Sequence, residues 1–242
     1  MNMDFTLSKY KELLVALNGY GEVTLRHDVD KKPQNSLKTA RIERDLGWKA
    51  VYYFRAVPES WDEGIIQEIG ALGHEIGYHY ESLTTCNGDK EAAYRDFCDN
   101  LEKLRKLTPV TSICMHGSPK SIWDSRDLWK QFDYHQLGIE TEPYLDTDFS
   151  QVFYLTDTGR RWDGFNVSVR DKIPEYQEQW IKKGWVYHST DDIIEAVKNG
   201  IFPKKAMMTT HPQRWTDNKA EWLMEWGSQS VKNCVKMLII KR

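Results

Sequence analysis

Residues 23–30, Val23-Thr24-Leu25-Arg26-His27-Asp28-Val29-Asp30, and the stretch Gln34 to Leu46 just after them decide the fold. The first is rich in β-branched and apolar residues and reads as a strand. The second sets Leu37, Ala40, Ile42 and Leu46 on a predicted buried side and is ended by Gly47, so it reads as a helix. The same strand-then-helix unit repeats: Ala50 to Ala56 before Trp61 to Leu72, then His74 to Glu81 before Lys90 to Leu107, then Val110 to His116 as a fourth strand. Repeated βα units imply an α/β fold around a parallel sheet, and the short connections predict a single, irregular or incomplete parallel β/α barrel.

Further along, Phe132 to Arg170 is punctuated by Gly, Pro and Asp around short runs such as Gly138 to Tyr144 and Gln151 to Leu155, which predicts strands among irregular loops. Thr190 to Lys198 reads as a helix with Thr190 as N-cap and Gly200 beyond its end, and Lys205 to Thr210 as the last barrel strand. An amphipathic helix over about residues 6–18 precedes the first strand, and a closing helix after Asn218 carries Trp222 and Trp226 on one face. A chain of 242 residues suits one such domain over 1–242, with no linker or repeat to divide it.

Composition narrows the function. The formal net charge of -3, from 33 basic and 36 acidic residues spread along the chain, leaves no basic stripe, so nucleic acid is not an expected partner. Cys86, Cys98, Cys114 and Cys234 have no C-x-x-C spacing, which fits a reducing compartment. There is no leader-like start and no apolar run long enough to span a bilayer, so a cytoplasmic protein is expected.

The chemistry-bearing residues gather at predicted strand ends. Period-two geometry turns Arg26, Asp28 and Asp30 to one face, and two adjacent carboxylates repel unless a cation or a shared proton relieves them. The other reading is that each aspartate caps the next helix or pairs with Arg26, Lys31 or Lys32. On the third strand Gly77, His79 and Glu81 share a face, and imidazole with carboxylate is an ordinary ligand set for zinc or a similar metal. His116 and His211 each end an apolar run, followed by Gly117 and Pro212. Any one of these could merely hydrogen-bond loop backbone. Their recurrence at the ends of separate strands favours one shared site on the C-terminal face of a barrel. Arg160 and Trp162, in the run Asp157 to Trp162, and Trp215 are candidates to line a groove, the indoles by stacking on a sugar ring, although covering the core is an equally ordinary role for tryptophan.

These motifs together resemble the polysaccharide deacetylase superfamily, carbohydrate esterase family 4, in its divergent branch opening with R-H-D-V-D; the likeness runs from Glu22 to about Trp215. The resemblance implies that Asp28 is the catalytic base and Asp30 a metal ligand, although Val29 separates two aspartates that are adjacent in the family's T-F-D-D motif. His74 to Tyr78 matches the lead-in to the family's paired histidines, which makes His79 the first histidine ligand. The second position holds Leu83, which cannot bind a metal; Glu81 is the first substitute and His116 the second. His116 to Pro119 corresponds loosely to a groove-lining motif, and His211 falls where the family places its acid.

The implied activity is metal-dependent hydrolysis, zinc being the expected cofactor, of an N-acyl group, an acetyl first of all, on a sugar. A nucleotide-linked or lipid-linked sugar or a small glycan precursor of surface polysaccharide is the expected substrate. Two rivals stand beside it: a non-catalytic sugar-binding relative that has lost its metal with the histidine at Leu83, and a metal-dependent hydrolase of another small amide or ester.

Overall fold

The computed structural model describes residues 3–118, 121–166, 168 and 170–240, the stretch 235–240 without its side chains. Pro119, the end of the motif beginning at His116, lies outside the described residues. The elements in chain order are α1 (Leu7–Leu17), β1 (Glu22–Val29), α2 (Pro33–Asp45), β2 (Ala50–Phe54), α3 (Glu63–Ala71), β3 (Glu75–Tyr80), α4 (Ser82–Thr85), α5 (Lys90–Arg105), β4 (Ile113–Met115), α6 (Pro143–Asp146), β5 (Phe153–Thr156), α7 (Pro174–Lys182), α8 (Thr190–Lys198), β6 (Lys205–Thr210) and α9 (Lys219–Ile240). Among the described residues no helix is long and apolar enough to cross a membrane.

The six strands form one sheet in the order β4-β3-β2-β1-β6-β5, and every pairing is parallel. This is the order of a ring of six strands cut between β4 and β5, so the fold is the expected barrel left open at one seam. The connection after β4 fills that seam. Thr141 bridges to Ser112 at the β4 edge, and three residues on, Tyr144 places its hydroxyl 3.1 Å from that of Tyr154 on β5. Gly138 to Tyr144 is therefore not a strand: beyond the single bridge it enters α6 at Pro143. The α7 helix was not legible in the sequence because its apolar positions are few; among its residues only Trp180 is buried.

Local rules account for most boundaries. Asp62 and Asp89 cap α3 and α5 by accepting the amides of Ile65 and Ala92. The cap of α8 is Ser189, in a capping box with Asp192, and not Thr190. The Thr190 hydroxyl is spent elsewhere, between Asp4 and the Trp162 indole. Gly77 lies under the Tyr53 ring, where a Cβ would come within 2.3 Å of the aromatic carbons. Only glycine allows the Tyr53 ring that approach.

Helix α2 departs most from its expected pattern. Its buried face is Pro33, Asn35, Ser36, Thr39, Ala40 and Glu43, whereas Leu37, Ile42 and Leu46 are only partly covered. The cause lies on β1. Alternation that turns Arg26 and Asp28 to one side of the sheet sends His27 to the other, against the helices. There His27 Nε2 sits 2.7 Å from Glu43 Oε1 and its Nδ1 2.6 Å from the Thr210 hydroxyl. Tyr10 of α1 also donates to Glu43, as does Tyr52 of β2 at 2.7 Å. All of these side chains are buried. A buried carboxylate holds its charge only when so supplied with donors.

Burial alone would push the Glu43 carboxyl up, but His27, by charge and hydrogen bond, and the two tyrosines hold it below its ordinary 4.5. A carboxyl depressed in the folded state stabilises the fold above its unfolded pKa, and that contribution is lost as pH falls through the folded value. Glu43→Ala is expected to cost about 3–5 kcal/mol in urea unfolding at neutral pH, because it strands His27 and two tyrosine hydroxyls. The difference between wild type and Glu43→Gln should shrink as pH drops below 4.5; a constant difference across that range would refute the assignment.

Candidate active site

Parallel pairing brings every strand's C-terminal end to one rim. His27 lies opposite Thr210 in the β1–β6 register, so Asp28 and His211 follow on the next step, and His79 lies opposite Cys114 between β3 and β4. A cleft of about 120 Å3 opens at this rim, lined among others by Asp28, Asp30, His79, His116, Tyr144 and His211. The sequence-derived candidates at the ends of β1, β3, β4 and β6 thus meet in one place.

Two imidazoles face Asp30 with the same edge. His79 Nε2 is 3.7 Å and His116 Nε2 3.5 Å from Asp30 Oδ1. In each ring the other nitrogen is taken: His79 Nδ1 lies 2.9 Å from the Cys114 carbonyl and His116 Nδ1 2.8 Å from Glu81 Oε2. A ring that donates through Nδ1 to oxygen keeps the Nε2 lone pair free for a cation. Asp30 Oδ1 is shielded from solvent and has no hydrogen-bond partner among the described residues, while Oδ2 accepts from Gln213 at 3.1 Å. A solvent-shielded carboxylate oxygen thus faces two imidazole nitrogens, donors of the kinds that bind a divalent cation. Burial, with His116 and Arg26 adding to it, pushes the His79 imidazole down to about 4 against the pull of Asp28 and Asp30, which keeps it neutral and able to bind.

Ligand atoms of Asp28, His79 and Cys114 lie within 4.8 Å of one another, a buried group that could hold a metal. Its donors are less available. Both Asp28 oxygens accept from Arg26, at 3.0 and 2.7 Å, and burial pushes the Cys114 thiol well above its ordinary pKa, so it stays protonated.

Flanking groups hold defined charges. Burial would raise the Asp28 carboxyl, but Arg26, then His79 and His211, hold it below the usual range. Arg26 is itself buried between the rings of Tyr53 and Tyr144, 5.7 and 4.7 Å from their centroids. On the other flank His211 Nδ1 is 2.6 Å from Asp157 Oδ1, whose carboxylate also takes Arg214 at 2.6 Å and the Trp215 indole at 2.8 Å. Burial and Arg214 both work against a charged His211; Asp157, by charge and hydrogen bond, and Asp30 outweigh them and raise its pKa above 6.5.

The remaining candidates fall elsewhere. Glu81 gives one oxygen to Arg55, at 2.6 and 3.0 Å, and the other to His116. Leu83 is buried on α4 in the apolar core. Trp215 is fully enclosed against Phe5 and Tyr10, and Trp162 packs on Phe5 and Trp215, so neither indole offers a face to the cleft. Arg160 donates to the Trp222 carbonyl and lies over the Trp222 ring, outside the cleft. Two residues with evident roles here, Asp157 and Arg55, were not singled out from the sequence. Asp157 could have been, since it ends β5 as His211 ends β6; Arg55 carries no sequence signal of its own.

No protein-family model matches this chain, and no curated protein does. Solved structures do. A family 4 carbohydrate esterase pseudoenzyme from Bacillus anthracis aligns over 87% of this chain and 61% of its own, with 13% identity and a TM-score of 0.43. A mutant of that pseudoenzyme with restored enzymatic activity aligns with the same TM-score, and this chain covers 63% of it. PdaA of Bacillus subtilis, a family 4 carbohydrate esterase, aligns over 96% of this chain and 90% of its own, with 11% identity and a TM-score of 0.44. The chain thus has structural matches among family 4 carbohydrate esterases at low identity, and spans about three-fifths of the pseudoenzyme's length.

The His211–Asp157 contact makes a prediction independent of any activity. Asp157→Asn removes the charge that holds the imidazolium while burial and Arg214 remain, so the His211 pKa should fall below 6.5. A histidine NMR titration reads it directly, and an unchanged value would break the link between the two residues.

Proposed function

We propose that this chain is a metal-dependent hydrolase that removes an N-acyl group, an acetyl first of all, from a sugar that serves as a surface-polysaccharide precursor. The observation that supports it best is the bare Asp30 Oδ1 facing the Nε2 atoms of His79 and His116. Asp30, His79 and His116 would hold the ion, three protein donors being the usual number for a catalytic zinc site that leaves a position open. When bound, a divalent metal there supplies polarisation of the acyl carbonyl and a lowered pKa for water.

The chain's own groups supply the proton transfers. Asp28, kept ionised by Arg26, takes a proton from the water that adds to the acyl carbon. His211, whose pKa Asp157 raises, gives a proton to the amine nitrogen as the carbon–nitrogen bond breaks. The products are a carboxylic acid and a free amino sugar. Asp28 lies 3.8 Å from His79 Nε2, and His211 Nε2 lies 3.9 Å from Asp30 Oδ2, so base and acid flank the same donor set. A nucleotide-linked or lipid-linked sugar is the substrate class to try first.

Zinc content of protein purified without chelator or histidine tag, followed by acetate release from acetylated nucleotide sugars, tests this reading. Asp28→Asn and His211→Ala should each lower the rate by about 10² to 10⁴ with bound metal little changed, whereas His116→Ala should lose the metal. A wild-type protein that carries no metal would favour the sugar-binding alternative, and one that carries zinc yet releases no acyl group from a sugar would favour hydrolysis of another small amide or ester. Loss of zinc in His211→Ala would make that residue a ligand and not the acid.

A further inference from the structure

We infer that Arg55 and Glu81 form a positioning pair that makes His116 the third donor of the candidate centre; this rests on the donor set proposed above. A closed circuit of contacts runs across four adjacent strand ends. Arg55, just past β2, reaches the Asp30 carbonyl beyond β1 through Nη1 at 3.3 Å. Its Nε and Nη2 grip Glu81 Oε1 beyond β3 at 3.0 and 2.6 Å. Glu81 Oε2 meets His116 Nδ1 beyond β4 at 2.8 Å, and His116 Nε2 returns to Asp30 Oδ1 at 3.5 Å.

Each contact has a separate consequence. The carboxylate accepts from Nδ1, which fixes the tautomer of His116 and turns its Nε2 lone pair to the centre. The guanidinium holds that carboxylate through a fork on the opposite oxygen, so Glu81 cannot swing away from His116 without losing a two-point contact. The His116 amide donates to the Tyr80 carbonyl at 2.8 Å, which anchors the backbone beneath the ring.

Glu81 has no competing duty. It occupies the N-cap position of α4, yet its side chain makes no capping hydrogen bond. It is also no third donor in its own right, because Oε2 would have to leave His116 and Oε1 would have to leave Arg55. The imidazole on β4 and the carboxylate on β3 thus act together, on the rim where residue 83, buried on α4, presents nothing.

The test is Zn2+ affinity, read by competition with a chromophoric chelator, in the full chain and in Glu81→Gln, Glu81→Ala, His116→Ala and the double variant Glu81→Ala/His116→Ala. Glu81→Ala should bind Zn2+ about 10- to 100-fold more weakly, the usual effect of removing the partner of a metal-bound imidazole. Glu81→Gln should lose less, since its amide oxygen still accepts from Nδ1, and it serves alone if the alanine variant fails to fold. The double variant should bind no more weakly than His116→Ala, because Glu81 acts only through that ring. Additive losses would make Glu81 an independent ligand, and unchanged affinity in both Glu81 variants would leave it no role; either overturns the inference while the metal reading stands. Absence of stoichiometric Zn2+ on the wild-type chain overturns both.

Discussion

From Leu25 to Val29 strand β1 is buried on both faces and carries charged or titratable groups on both, and much of the structure answers to that constraint. Arg26, His27 and Asp28 are consecutive, so alternation sends two to the rim side and one to the helix side. None can stay in a dry interior unpartnered. Arg26 and Asp28 pair on one face, and on the other His27 finds Glu43 and Thr210. The polar face of α2, the inward turn of Tyr10 and Tyr52 and the place of β6 beside β1 all follow from supplying those partners.

The open seam between β4 and β5 matters to the site. A closed parallel barrel would fill its interior with layers of side chains. Here the seam is spanned by Tyr144, whose hydroxyl reaches Arg26, Tyr154 and Asp171. The ring that caps the gap also covers the guanidinium holding Asp28. The cleft therefore keeps a polar floor whose charges are set by neighbours at fixed positions, the condition under which prepositioned groups are most useful to a reaction.

The titratable groups around Asp30 have dedicated partners: Arg26 of the same strand for Asp28 and, from neighbouring strands, the Cys114 carbonyl for His79, Glu81 for His116 and Asp157 for His211. Asp30 Oδ1 is a carboxylate oxygen with no hydrogen-bond partner among the described residues. A bare carboxylate oxygen between two imidazoles offers a cation a freer donor than Asp28 of the Asp28, His79 and Cys114 group, whose oxygens already accept from Arg26.

The sequence by itself determined the strand and helix alternation, the strand on which each candidate residue lies and the rim they share, because those depend on periodicities of about two and 3.6 residues that the chain carries locally. It placed β6 at Lys205–Thr210 and set Asp28, Asp30, His79, His116 and His211 at strand ends. It could not separate the parts played by Glu81 and His116. Two residues apart on the expected strand, His79 and Glu81 would share a face, which favoured Glu81 as the donor; β3 in fact ends at Tyr80, and only the packing of β4 against β3 brings His116 to the same point, with Glu81 turned toward it. The polar face of α2 was hidden for the same reason, since Glu43 is buried by a histidine on another element and its own neighbours give no sign of it. Pairing between distant residues is a property of how the strands are ordered, and that order was decided by the tertiary structure alone.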